Sequence, residues 1–106
     1  MRRFVKVAKT HDLAEGSMRA VFVEDTDLLL AQVQGQYYAI SNICSHADVW
    51  LHPGGLSPAT WEVQCPLHQG RFDLRTGHPT AWPASQPVQV YAVRVEGEDI
   101  LVGLPS

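Results

Sequence analysis

Four side chains in this sequence have the types and the spacing of a metal site. Cys44 is followed two positions later by His46, and Cys65 is followed three positions later by His68. Thiolates and imidazoles are the protein ligands of zinc and of iron-sulfur centres. The chain has only two cysteines, and each stands beside a histidine, so a chance pairing is improbable. We therefore predict that these four residues bind one metal centre.

The number of ligands leaves two kinds of centre open. A tetrahedral zinc ion would take all four side chains, and the protein would then be a folded interaction module without a redox role. A 2Fe-2S cluster would take two thiolates on one iron and two imidazoles on the other. Because both centres have the same ligand count, the surrounding sequence has to distinguish them.

Length and composition restrict the class of protein. The 106 residues suffice for one compact domain and are too few for a second catalytic one. With 45% hydrophobic residues, 18% charged residues and a net charge of −3, the chain is typical of globular proteins, which argues against disorder and against a basic nucleic-acid surface. The apolar runs are strand-sized, so no membrane span is predicted.

The amino terminus and the cysteine count bear on the compartment. Arg2 and Arg3 superficially resemble an export signal, but polar residues follow where such a signal is apolar, so we interpret Met1 as the mature start. A cytoplasmic protein seldom has structural disulfides, which favours metal binding over a bridge between the cysteines.

Short runs of strand-forming residues alternate with turn signals. The runs are 4–7, 18–23, 28–33, 36–40, 61–64, 88–95 and 100–102. Hairpin turns are predicted at 24–27, at Gly35 and at 96–99, and a helix-like turn at 10–15. This spacing predicts an all-β domain, an antiparallel sandwich or small barrel. Residues 42–83 hold both cysteines and many turn residues, so we interpret them as a site-bearing insertion in that scaffold.

The residues around the ligands resemble one family. The stretch 42–48, Asn-Ile-Cys-Ser-His-Ala-Asp, and the stretch that starts at 65, Cys-Pro-Leu-His-Gln-Gly-Arg-Phe-Asp, closely resemble the Rieske ferredoxins of bacterial aromatic-ring dioxygenase systems. The likeness extends over nearly the whole chain, including the strand at 36–40, Trp82-Pro83-Ala84 and the closing hairpin at 88–102. One departure is a longer gap between His46 and Cys65, with 52–55 as the expected place of the extra length. Loop insertions are tolerated, so ligation is unaffected while the path of the loop around His52 is left open.

The resemblance implies a fold, a cofactor and a role for each ligand. The fold would be a single Rieske domain over 1–106, an antiparallel β-sandwich scaffold with a small loop-rich cluster-binding subdomain at about 42–83. It would hold one 2Fe-2S cluster, with Cys44 and Cys65 on the buried iron and with His46 and His68 on the outer iron.

The resemblance also implies a function and partners. The chain would not be an enzyme but a monomeric, cytoplasmic electron carrier of aromatic hydrocarbon catabolism. It would pass one electron at a time from a flavin-dependent NAD(P)H reductase to a terminal ring-hydroxylating oxygenase, without nucleic acid or membrane. Two alternatives are the small Rieske-like subunit of assimilatory nitrite reductase, which shares the fold and size, and the zinc-binding interaction module.

The absence of two hydroxyl groups bears on the reduction potential. Where high-potential relatives carry a serine and a tyrosine that donate hydrogen bonds to sulfur, this chain has Gly70 and Phe72. The resemblance therefore implies a potential near the low end of the Rieske range of about −150 to +300 mV.

Other conspicuous residues are assigned more ordinary roles. His11 and His78 lie in polar turns and are expected at the surface, and His52 is expected to have no ligand role because four ligands are already present. Trp50 and Trp82 flank the ligand segments and are candidates for partner docking, since aromatic residues are enriched at interface cores. Trp61 is expected to pack in the core.

Overall fold

The computed structural model describes residues 2–45 and 48–105. Within these residues it has eleven strands and one short 3₁₀ turn at Thr10–Asp12. The strands are β1 (Arg2–Lys9), β2 (Met18–Val23), β3 (Thr26–Val33), β4 (Gln36–Ser41), β5 (Leu56–Ser57), β6 (Glu62–Gln64), β7 (Arg71–Asp73), β8 (Pro79–Ala81), β9 (Val90–Tyr91), β10 (Val93–Glu96) and β11 (Asp99–Pro105). No helix in this part of the chain is long and apolar enough to cross a membrane.

The strands form three antiparallel sheets. Their orders are β1-β11-β10, β2-β3-β4-β9 and β5-β6-β7-β8. We call them the terminal, the central and the clip sheet. The predicted all-β antiparallel class is confirmed.

Tight turns join the predicted hairpins. Glu24 and Asp25 link β2 to β3 with φ of 48° and 62°, and Gln34 and Gly35 link β3 to β4 with φ of 54° and 76°. Two consecutive residues with positive φ are typical of the turn whose twist matches an antiparallel hairpin. The second turn is held by the Glu15 carboxylate, which accepts the N–H groups of Gln34 at 2.6 Å and of Gly35 at 2.8 Å.

Strand β3 separates two buried groups of side chains. Leu28 and Leu30 point into one group, together with Val102 and Leu104 of the terminal sheet. The other face of β3 contributes Leu29, Ala31 and Val33 to a second group, which also contains side chains of the clip sheet. A strand that is buried on both faces has a continuous apolar run, which explains the sequence Leu-Leu-Leu-Ala at 28–31.

The structure differs from the sequence prediction in two places. Residues 42–83 are loop-rich as expected and contain β6 near the predicted run at 61–64, but they also hold β5, β7 and β8, whose two or three residues are too short for a period-two pattern to be recognised. The predicted strand at 88–95 is two strands, because the chain leaves the central sheet after Tyr91 and enters the terminal sheet at Val93.

Candidate metal centre

The segment Cys65–Gly70, which we call the second clip, is the loop of the β6–β7 hairpin. The Cys65 N–H donates to the Gly70 carbonyl at 2.7 Å, and the Gln69 N–H donates to the Cys65 carbonyl at 3.0 Å. Gln69 adopts a φ of 63°, which reverses the chain before β7. Cys65 thus directly follows the last paired residue of β6, while His68 lies near the tip of the loop.

The first clip, residues 42–52, has the same plan. The Cys44 N–H donates to the Val49 carbonyl at 2.9 Å, Ile43 pairs with Trp50, and the Leu51 N–H donates to the Asn42 carbonyl at 2.7 Å. Cys44 is again at the base of a closed loop. His46, the predicted ligand nearer the tip, and Ala47 lie outside the described residues.

Burial differs between the two ligand types. Cys44 and Cys65 are 2% and 0% exposed and belong to the same buried group, with Leu29 and Ile40 of the central sheet and Phe72 of the clip sheet. His68 is exposed. This division follows from the hairpins, because a residue beside the last ladder pair faces the core while a residue near the loop tip faces water.

A third segment, residues 82–89 between β8 and β9, contacts both clips. The Ser45 hydroxyl donates to the Gln86 carbonyl at 2.7 Å, which attaches the segment to the first clip. It also packs on the second clip, because a Cβ added at Gly70 would lie 2.9 Å from both the Cβ and the N of Ala84. A serine at position 70 therefore has no room, which gives a steric reason for the missing hydroxyl there.

Three of the five exposed large apolar side chains of the described residues lie on these segments, while Phe22 and Val95 lie on β2 and β10. Trp50 of the first clip is 55% exposed, Leu67 of the second 58%, and Trp82 of the third segment 83%. Trp61 instead packs against the buried group that contains the cysteines, as predicted. His11 and His78 are exposed, also as predicted.

Charges near the second clip are paired within the chain. Arg75 contacts Asp73 at 2.9 Å and holds the pKa of that carboxyl below its usual value. The pKa of Glu62 is also lowered, first by the hydroxyls of Thr80 and Thr60 and then by Arg71, which lies 3.4 Å away.

Sequence reasoning missed two contacts that shape the first clip. The buried Asn42 side chain binds both the backbone and the ring of His52, with atom separations of 2.9 Å. Gly54 passes so close to Gln64 that a Cβ would lie 1.8 Å from its carbonyl oxygen. The sequence signals for these contacts were the Gly54-Gly55 pair and Asn42, an asparagine directly after a strand.

The described donors fit an iron-sulfur centre. Two thiols, not joined in a disulfide, lie in apolar surroundings, where a negative thiolate needs a bound cation to offset its lost hydration. His68, in the same clip as Cys65, is exposed to solvent.

Comparison with known proteins decides the family. Residues 3–92 match the model of the Rieske [2Fe-2S] domain. The chain belongs to this family. Membership favours the iron-sulfur cluster over the zinc ion, and the predicted 2Fe-2S cofactor is confirmed.

Relatives of this Rieske domain are ferredoxins of similar length. It is 34% identical over 102 residues to the ferredoxin component of the naphthalene 1,2-dioxygenase system of Pseudomonas aeruginosa, with 96% of each chain covered. The ferredoxin of carbazole 1,9a-dioxygenase from Nocardioides aromaticivorans IC177 has a TM-score of 0.90 at 43% identity, with 93% of this chain and 95% of that chain covered. A chain in a complex of reduced oxygenase and oxidized ferredoxin in carbazole 1,9a-dioxygenase has a TM-score of 0.86 at 31% identity, with 93% and 91% covered.

The nitrite reductase alternative is supported by fold alone. A putative NADH-dependent nitrite reductase small subunit from Mycobacterium tuberculosis has a TM-score of 0.86 but only 20% identity, with 100% of this chain and 98% of that chain covered. The dioxygenase ferredoxins have the same fold and higher identity, so the predicted resemblance to them is confirmed.

Proposed function

We propose that this Rieske domain is the ferredoxin component of an aromatic-ring-hydroxylating dioxygenase system. It takes one electron from a flavin-containing, NAD(P)H-dependent reductase and delivers it to the terminal oxygenase, so it is a carrier and not an enzyme. The observation that carries the proposal is that both cysteines are buried while His68, in the same clip as Cys65, is exposed. Such a centre is shielded on one side and reachable on the other, as a carrier requires.

The proposed ligands are Cys44, His46, Cys65 and His68. The two thiolates would hold the inner iron, and the two imidazoles the outer iron. The cluster supplies a site that gains and loses a single electron. The chain's own contribution is to fix the thiols at the bases of two closed loops, to exclude water around them, and to present the histidine edge to a partner.

The surface around His68 supports docking of a partner. Trp50, Leu67 and Trp82 are exposed apolar side chains on the three segments of the site. Short-lived electron-transfer contacts are small, with apolar residues at the centre and charges at the rim. Arg71 and Arg75 already pair with Glu62 and Asp73. We therefore propose that apolar contacts contribute more than these charges to docking at the site.

The proposed organisation is one domain over residues 1–106, with residues 42–83 as the cluster-binding part, acting as a monomer in the cytoplasm. The described part of the chain has no membrane-crossing helix. Support for the subdomain comes from the clip sheet, which lies wholly between Leu56 and Ala81.

The test replaces each proposed histidine ligand and measures the visible spectrum, the iron content and electron transfer. His46→Ala and His68→Ala should lose the native cluster spectrum and the transfer of electrons from reductase to oxygenase. His78→Ala is the matched control, because His78 is an exposed histidine of a turn outside the clips. A colourless wild-type protein that contains zinc would reject the proposal in favour of the zinc-binding module, and a native spectrum in either ligand variant would reject the ligand set.

A further inference from the structure

Asn42 is the buried polar residue of the described chain, with 1% of its surface exposed. Its Oδ1 accepts the backbone N–H of His52 at 2.9 Å, and its Nδ2 lies 2.9 Å from the His52 Nδ1. Both ends of one carboxamide are therefore used by one histidine. A buried polar group costs free energy unless it is hydrogen-bonded, so this pairing is strongly preferred to an open one.

The hydrogen-bond geometry fixes which ring nitrogen of His52 acts as the acceptor. Because the Asn42 oxygen is occupied by a backbone N–H, the amide nitrogen has to face the ring. The amide nitrogen can only donate, so Nδ1 has to accept and the ring proton is on Nε2. A doubly protonated ring would place one N–H group against another, and rotating the carboxamide would set its nitrogen against the backbone N–H of His52.

This contact is one further pair in the ladder that closes the first clip. The ladder runs from the hydrogen bond between Cys44 and Val49 to the one between Leu51 and Asn42. The Asn42 side chain continues it beyond the backbone by one position. The His52 ring also lies 5.6 Å from the ring of Trp50, so it contacts the exposed indole of the clip.

We propose that His52 is a positioning residue for the first clip. Its ring Nδ1 accepts the Asn42 hydrogen bond and thereby holds together the base of the loop that carries Cys44 and Trp50. The assignment rests on the proposed function only in that this loop is the one that binds the cluster.

The experiment is hydrogen-deuterium exchange of the cluster-loaded protein, read by mass spectrometry on peptides that cover residues 42–52. His52→Leu removes the acceptor and should lose protection here by about tenfold relative to the wild type at a fixed pH.

His52→Asn is the rescuing variant, because an asparagine Oδ1 can occupy the position of the histidine Nδ1. It should keep the high protection of the wild type, and so should His78→Leu, which changes an exposed histidine outside the clips. Wild-type protection in His52→Leu, or protection in His52→Asn as low as in His52→Leu, would overturn the proposal. If His52→Leu does not fold, His52→Ala replaces it in the same comparison.

Visible absorbance of the same samples separates this inference from the proposed function. A wild-type protein without iron-sulfur absorbance counts against the function. Normal absorbance together with the same exchange protection in the wild type and in His52→Leu counts against the role of His52.

Discussion

Substituting Gly54 by alanine is a sharp structural perturbation of the loop that directly follows the first clip. An added Cβ would lie 1.8 Å from the Gln64 carbonyl oxygen, whereas carbon and oxygen normally approach to no less than about 3.3 Å. The backbone at Gln64 would therefore have to move by roughly 1.5 Å, next to Cys65. Gly54 is not in the left-handed region, so this clash and not a forbidden backbone angle is the cost.

The size of the effect follows from what has to move. Overpacking costs about 1–3 kcal/mol, and the upper end applies here because the obstacle is backbone whose N–H is bonded to Gly55 at 2.8 Å. For a domain of this length, about 3 kcal/mol corresponds to a fall of roughly 13 °C in Tm. The same displacement would disturb the hydrogen bond from Cys65 to Gly70, so the cluster should also be lost at a lower temperature.

The neighbouring glycine is a matched control. A Cβ at Gly55 has its nearest contact at 3.9 Å, with the flexible end of the Gln64 side chain. Gly55→Ala should therefore stay close to the wild type. The assay follows far-UV circular dichroism and cluster absorbance during heating at a fixed scan rate, because cluster loss makes unfolding irreversible. Midpoints of Gly54→Ala and Gly55→Ala within about 2 °C of each other would refute the reasoning, since such a difference amounts to less than 1 kcal/mol.

Three further predictions concern potential, docking and acid stability. Phe72→Tyr adds a hydroxyl to a buried ring of the group that contains the cysteines. A hydrogen bond from that hydroxyl to a cysteine sulfur would favour the reduced cluster, which carries more negative charge, by about 1–2 kcal/mol and should raise the reduction potential by roughly 40–90 mV. Voltammetry that shows no rise, in a variant whose hydroxyl is seen to reach the sulfur, contradicts this. Trp50→Ala and Trp82→Ala should slow reduction of the oxygenase in stopped-flow mixing while the visible spectrum stays unchanged, and normal rates in both would assign these exposed indoles no part in docking. Because Arg75 lowers the folded-state pKa of Asp73, that carboxylate stabilises the fold above its unfolded value of about 3.9, and the gain disappears as the pH falls through the lower folded value. Urea unfolding should thus find Asp73→Asn less stable than the wild type at about pH 6, by a difference that shrinks as the pH falls below about 3.9. A difference that does not shrink would mean that the carboxylate charge is not the cause.

The parts of the fold that could be predicted are those whose signals are local. The hairpins on either side of β3 are encoded by adjacent turn residues, and their neighbouring strands have long apolar runs. The strands of the clip sheet are two or three residues long, and their pairing depends on how the clips close rather than on the strand propensity of their residues. Tertiary context thus decided what the local pattern could not.

The candidate site divides in the same way. Ligand types and spacing are properties of short segments, so all four ligands could be proposed from the sequence. The contacts that hold the loops join residues far apart in sequence, as between Ser45 and Gln86, or depend on the path of the loop between the two residues, as between Asn42 and His52. His52 was expected to have no special role because reasoning from ligand count considers only the metal and not the support of the loop.

The placement of the cysteines within the buried group of the central and clip sheets couples the cofactor to the folding equilibrium. Their side chains lie with Leu29 and Ile40, so on the proposed ligand set the binding free energy of the cluster is also folding free energy. A chain that has not yet received its cluster populates the unfolded ensemble more often, where proteases act. The abundance of this carrier in a cell is thereby linked by mass action to the supply of iron and sulfide.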